Sequence, residues 1–149
     1  MKRSQAWFIA SILTLLLAGC GSKDGEPLPP TKTTMDFSDG RGWQAALKWG
    51  QTLRFSDDEF LEMFGTIDFR DKDGQIPKSL EAVSLRADMP QHGHGTGNNV
   101  PEVGPVSDVA ARYWVKNLYF TMTGSWRIQI TATINGVVDV WSSTVDVGD

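Results

Sequence analysis

Apolar and polar residues alternate most regularly near the C-terminus, where Trp126, Ile128, Ile130, Ala132 and Ile134 interleave with Arg127, Gln129, Thr131 and Thr133. A period of two marks a strand with one face in a core. Asn135-Gly136 follows, and both residues tolerate the positive φ of a type I′ turn, so Val137 to Val145 is expected to return as the antiparallel partner. A second alternating run sets Val83, Leu85, Ala87 and Met89 against Ser84, Arg86 and Asp88, with Met89 as its last inward position. Phe60 to Phe69 predicts a further half-buried strand that leaves through the turn Asp71-Lys72-Asp73-Gly74, and Tyr113-Trp114-Val115 with Leu118 and Phe120 predicts another. Trp43, Leu47 and Trp49 precede an expected first strand reaching Phe55, although Ala45-Ala46-Leu47-Lys48 also suits one helical turn. Pro90 to Pro105 reads as a turn-rich passage.

Short strands separated by turn signals at this spacing predict an all-β domain, an immunoglobulin-like β-sandwich of about seven strands. A small up-and-down barrel is the alternative. The chain has a single cysteine, Cys20. No internal disulfide is therefore possible, and the tryptophans and phenylalanines are expected to build the core.

The pattern changes character ahead of residue 41. Met1-Lys2-Arg3 is a short basic segment, and Ala6 to Ala18 is apolar apart from Ser11 and Thr14, shorter than the roughly 20 residues of a membrane span. Leu17-Ala18-Gly19-Cys20 closes it and resembles the lipobox of bacterial lipoproteins, which predicts a signal peptide over 1–19 and lipidation at Cys20. Residues 20–40, with Pro27, Pro29 and Pro30, are expected to form a flexible tether; the sandwich is expected over 41–149. Gly21 after the cysteine, in place of aspartate, resembles lipoproteins released to the outer membrane where a cell has one. The expected location is the extracytoplasmic face of the envelope, with the membrane as a partner through Cys20.

Charge narrows the partners. The chain has a net charge of −4, and removing residues 1–19 with Lys2 and Arg3 leaves 12 basic against 18 acidic residues, net −6. That balance excludes a nucleic-acid partner. The acidic run Asp57, Asp58, Glu59 and Glu62 reads as a solvated edge. Asp71-Lys72-Asp73-Gly74 resembles the start of a calcium loop, but Ala82 stands where a bidentate glutamate is needed. No nucleophile elbow surrounds any serine. The chain is not expected to be an enzyme.

One segment carries candidate chemistry. Met89-Pro90-Gln91-His92-Gly93-His94-Gly95 holds both histidines of the chain. Imidazole and thioether together suit copper, the cuprous ion above all. In an immunoglobulin-like sandwich the loop leaving the third strand and the loop before the sixth lie at one end. That topology brings Met122 towards Met89, so Met89, His92, His94 and Met122 are the candidate metal residues. Each has a structural alternative: the methionines as flexible plugs of the core end, the histidines as an exposed, solvated loop.

Residues from about Met63 to Val145 resemble the YtkA-like domains and the related FixH-like proteins. The resemblance rests on Asp73-Gly74, Met89-Pro90, His92-Gly93-His94-Gly95, Tyr113 and Met122-Thr123-Gly124-Ser125-Trp126, in that order. It implies an immunoglobulin-like sandwich and, for some members, copper delivery or assembly of respiratory oxidases. Met89, His92, His94 and Met122 match the metal positions it implies, while Gln91 stands where such loops often carry methionine. The expectation is an envelope protein that binds a copper ion and passes it to a copper-accepting partner. The alternative is a metal-independent interaction module that presents an edge strand or the Pro90 to Pro105 loop to an envelope or membrane partner, with Trp114 or Trp141 as anchors.

Overall fold

The computed structural model describes residues 32–35, 42–51, 53, 62–97 and 99–148. The signal segment, Cys20, Phe55, Asp57, Asp58, Glu59 and Phe60 lie outside the described residues. Nine strands occur among the described residues: β1 (Lys32–Met35), β2 (Trp43–Trp49), β3 (Met63–Asp71), β4 (Leu80–Met89), β5 (His94–Gly95), β6 (Glu102–Pro105), β7 (Arg112–Leu118), β8 (Gly124–Ile134) and β9 (Val137–Val147). They form two antiparallel sheets, in the orders β1-β2-β3-β7-β6 and β5-β4-β8-β9. Leaving β1 aside, this is the immunoglobulin-like strand order, with β4, β8 and β9 opposite β2, β3 and β7. Two separate sheets dispose of the barrel alternative.

β8 is as regular as its sequence. Trp126, Ile128, Ile130, Ala132 and Ile134 are all buried. Asn135 (φ 50°) and Gly136 (φ 80°) make the tight turn, and β9 pairs with β8 from Ile134–Val137 through to Gly124–Val147. β4 buries Leu85, Ala87 and Met89 as its alternation requires, and a bulge between Glu81 and Ser84, with Ala82 at φ 50°, shifts its first residues. The turn after β3 forms as expected. Asp71 Oδ1 accepts from the backbone N–H of Asp73 and of Gln75, and Gly74 takes φ 79°.

The core is aromatic. Phe120 meets Trp126 edge to face at 5.1 Å and Trp49 at 6.4 Å, while Phe69 meets Trp141 at 5.4 Å. Two of the buried indoles satisfy their N–H on backbone: Trp126 donates to the Met122 carbonyl and Trp141 to the Trp43 carbonyl.

Four expectations are corrected. The first long strand is Trp43–Trp49 itself, with Ala45, Leu47 and Trp49 fully buried and paired along β3, so residues 45–48 are extended rather than helical. Pairing to β3 decides between two conformations that four residues alone leave open. The passage from Pro90 to Pro105 holds two strands, β5 and β6. β6 sits at a sheet edge, where its terminal proline leaves no ladder bond broken. β1 lies within the stretch expected as tether and pairs with β2, Lys32 opposite Lys48 and Met35 opposite Ala45. Trp141 is no surface anchor, being 2% exposed. Trp114 is half-buried, its ring lying where a Cβ on Gly104 would stand, with Lys116 Nζ 5.1 Å from the ring centre.

On the outer face of the first sheet, Asp68 receives a two-pronged hydrogen bond from Arg112 (2.5 and 3.0 Å) and one from Lys48 (3.2 Å). Burial pushes the Asp68 carboxyl up, but the Arg112 and Lys48 hydrogen bonds and charges outweigh it and hold it below the usual carboxylate range. A depressed folded value means that the stabilisation is complete above the unfolded pKa of about 3.9 and is lost as pH falls through the folded one. Asp68→Asn is therefore expected to cost about 1–3 kcal/mol at pH 7, and the gap to the wild type should close below about pH 4 in acid denaturation. Gly65→Ala is expected to cost about 1–3 kcal/mol, because its Cβ would stand 2.4 Å from the Lys48 carbonyl oxygen; urea titration should show a lower midpoint.

Candidate functional site

The histidine segment is a hairpin. The Met89 carbonyl accepts from the N–H of His92 (3.1 Å) and of Gly93 (3.0 Å), so Pro90 to Gly93 is a four-residue loop between β4 and β5. Pro90 presets the first turn position and Gly93, at φ 66°, supplies the left-handed residue that brings the chain back. Met89 then faces His94 across the ladder, and Asp88 faces Gly95.

Two hydrogen-bonded ties fix this hairpin. Thr96 Oγ1 donates to the Asn99 carbonyl at 2.6 Å and locks the turn after β5. Thr121 Oγ1 reaches the Gly95 carbonyl at 3.5 Å and links the β7–β8 connection to the hairpin. The connection before β8 and the loop after β4 thus lie at one end of the sandwich, the arrangement that topology predicts.

The four candidate side chains divide between two environments. His92 and His94 are exposed, their rings stacked at 6.5 Å between centres and inclined by 25°. With metal–nitrogen bonds of about 2.0 Å, two imidazoles sharing one ion have ring centres at most about 6 Å apart. A small rotation of exposed side chains closes that difference. Met89 instead belongs to the core at 3% exposure, its methyl 3.0 Å from where a Cβ on Gly124 would stand. Met122 is half-buried, packed against the core from the connection ahead of β8.

Beside the hairpin is a cleft of about 170 Å³ bounded by Arg86, Asp88, Met89, Pro90, Gly93, His94 and Gly95. Asp88 would be the obvious carboxylate for an ion there, but Arg127 holds it through two hydrogen bonds of 2.8 and 2.7 Å, and Arg86 lies 3.8 Å away. The Arg127 hydrogen bond keeps the Asp88 carboxyl below its ordinary value. Among the described residues no three His, Cys, Asp or Glu side chains gather as a metal-holding group. The candidate donors beside the hairpin are the two imidazoles and the methionine sulfurs.

The sequence pattern did not single out Thr121 or the Asp88–Arg127 pair. Asp88 and Arg127 each occupied an outward position of a strand, and only the β4–β8 register sets them opposite one another. A larger cleft of about 450 Å³ lies at the other end, by Leu80, Val106, Ala111 and Tyr113. The Tyr113 hydroxyl there donates to the Leu80 carbonyl, and burial raises its pKa, with Glu81 adding to the effect. It is far from both histidines and holds no candidate ligand.

No family model, no curated protein and no solved structure matches the chain.

Met89 is expected to behave as core. Met89→Leu should change stability by less than about 1.5 kcal/mol, whereas Met89→Ala should cost about 2–5 kcal/mol. Chemical denaturation of the two variants checks this.

Proposed function

We propose that the protein is a lipid-anchored, extracytoplasmic copper-binding protein that holds the ion on the β4–β5 hairpin and passes it to an envelope partner. The observation that carries the reading is the exposed pair His92–His94, 6.5 Å between ring centres on a hairpin closed by the Met89 carbonyl. Imidazoles on a short rigid loop hold an ion without ordering a long segment, and their exposure leaves open coordination positions through which a partner's ligands enter. Met122, half-buried at the same end, is the more exposed of the two candidate thioethers. Met89 borders the cleft beside His94 from the core and fixes the base of the hairpin. Cys20 carries the acyl anchor. The order of Met-Pro, His-Gly-His and Met-x-Gly-x-Trp segments, which resembles the YtkA-like and FixH-like domains, supports the same reading.

A second reading draws on a different surface. Val138 and Val140 are 57% and 48% exposed on the outer face of β9, with Val137 exposed beside the turn. Neighbouring exposed valines on a sheet-edge strand suit metal-independent contact with an envelope protein better than the half-buried Trp114 does.

Titrating the purified chain with cuprous ion against a competing chelator separates the two. The expected result is a Kd below about 1 μM, weakened at least tenfold in the His92→Ala/His94→Ala variant. Weaker binding, or an affinity unchanged by that double substitution, would overturn the copper reading. A partner captured equally with and without metal, and lost in Val138→Thr/Val140→Thr, would favour the second.

A further inference from the structure

Strand polarity relates the hairpin to the point where the chain enters the sandwich. β1 starts at Lys32, opposite Lys48 near the end of β2, and finishes at Met35, opposite Ala45. β2 runs back to Trp49, β3 starts again at that end opposite Leu118, and β4 returns there to finish at Met89. Lys32 and the β4–β5 hairpin therefore lie at the same end. Laterally they are far apart: β1 flanks β9 and β6 flanks β4, so four strand spacings of about 4.8 Å, roughly 20 Å, separate β1 from the hairpin side.

Residues 21–31 join Cys20 to Lys32. Covalent geometry limits that connection to about 43 Å at full extension. The 11-residue β8 spans about 37 Å from the hairpin end to the Asn135-Gly136 turn. To bring the far end to the bilayer, the connection would have to run back along the whole sandwich at nearly full stretch, at a large cost in chain entropy.

We infer that the hairpin end is the membrane-facing end of the anchored protein, and that the acceptor of its metal is a membrane protein whose exposed segment stands within the tether's reach. This rests on the proposed acylation of Cys20 and copper site on His92 and His94. With 12 basic against 18 acidic residues after residue 19, the protein is not drawn to anionic headgroups. Tethering, rather than adsorption, holds the site near the bilayer and leaves it free to meet a protein.

The full acylated chain in phosphatidylcholine vesicles tests this. Acylation consumes the one native thiol, so Gln91→Cys in the hairpin and Lys72→Cys in the far turn each offer a unique site for a donor dye. Energy transfer to a headgroup-labelled lipid is expected to be several-fold stronger from position 91 than from position 72. Equal transfer, or stronger transfer from position 72, would overturn the orientation. Thr33→Pro/Thr34→Pro, which unpairs β1, is expected to erase the difference while the circular dichroism of the sandwich persists; a difference that survives would overturn the role of β1. Cuprous ion loaded on the vesicle-bound protein is expected to pass to a lipid whose headgroup carries a thioether-based cuprous chelator faster than to the same chelator in solution at equal bulk concentration, and equal rates would overturn membrane-side delivery. A chain that does not float with vesicles overturns the anchor and the orientation together. A chain that floats with the expected dye contrast but binds no copper removes only the metal reading and its acceptor.

Discussion

Burial of one face of β8 against the opposite sheet is the interaction on which the rest depends. Trp126, Ile128, Ile130, Ala132 and Ile134 pack into a core shared with Leu47, Ile67, Phe69 and Val115, and each large side chain contributes about 1.5–3 kcal/mol on leaving water. β8 is also the only strand of its sheet bonded along its length on both sides, to β4 and to β9. Because no disulfide links the sheets, this contact must do what a covalent bridge does in many sandwiches of this size. It also sets Met89 and Met122 at one end, since β4 and the β7–β8 connection take their positions from β8.

The strands legible in the sequence were those with one face in the core and a turn of defined chemistry beside them, β8 and β4 above all. β9 was legible as a strand but its facing was not. Its valines at 138 and 140 point outward while Asp139 lies inside at 4% exposure, the reverse of a hydrophobic pattern. The two-residue Asn135-Gly136 turn sets Val137 opposite Ile134, and every later residue follows that register, carrying Trp141 into the core. Turn geometry outranks side-chain hydrophobicity there because a one-residue slip would expose Trp141, Val145 and Val147 together. β1, β5 and β6 were illegible for another reason. Each is four residues or fewer at a sheet edge, where pairing comes from the neighbouring strand rather than from the segment's own pattern.

The histidine loop was legible as a location and only partly as a geometry. Spacing of two suggests a common direction in a strand, yet Gly93 in the left-handed region stands between the two rings and places one in the loop and the other on β5. The strand phase of Met89 carried both possible meanings, ligand and core. Its 3% exposure assigns its bulk to the core, because extracting a buried thioether forfeits contacts that a half-buried one such as Met122 never makes. The Asp88–Arg127 pair completes the division: the carboxylate beside the hairpin is already paired with arginine, which leaves the imidazoles and thioethers as the candidate donors.

β1 alters more than the strand count. In an antiparallel sandwich each strand reverses the end at which the chain lies, so the ends of a tether and a loop are related by the parity of the strands between them. A domain that began at β2 would have three strands ahead of the β4–β5 hairpin, and its tether would leave from the opposite end. With β1 paired to β2 there are four, and the start of β1 at Lys32 shares an end with the hairpin. Under the proposed acylation of Cys20, four residues of edge strand decide which end of the molecule faces the bilayer. β1 sits at the edge of its sheet, bonded to β2, while β8 lies in the opposite sheet. Under the proposed anchoring at Cys20, the same sandwich, built on the same β8 contact, would hold its imidazoles away from the membrane if the chain entered one strand later.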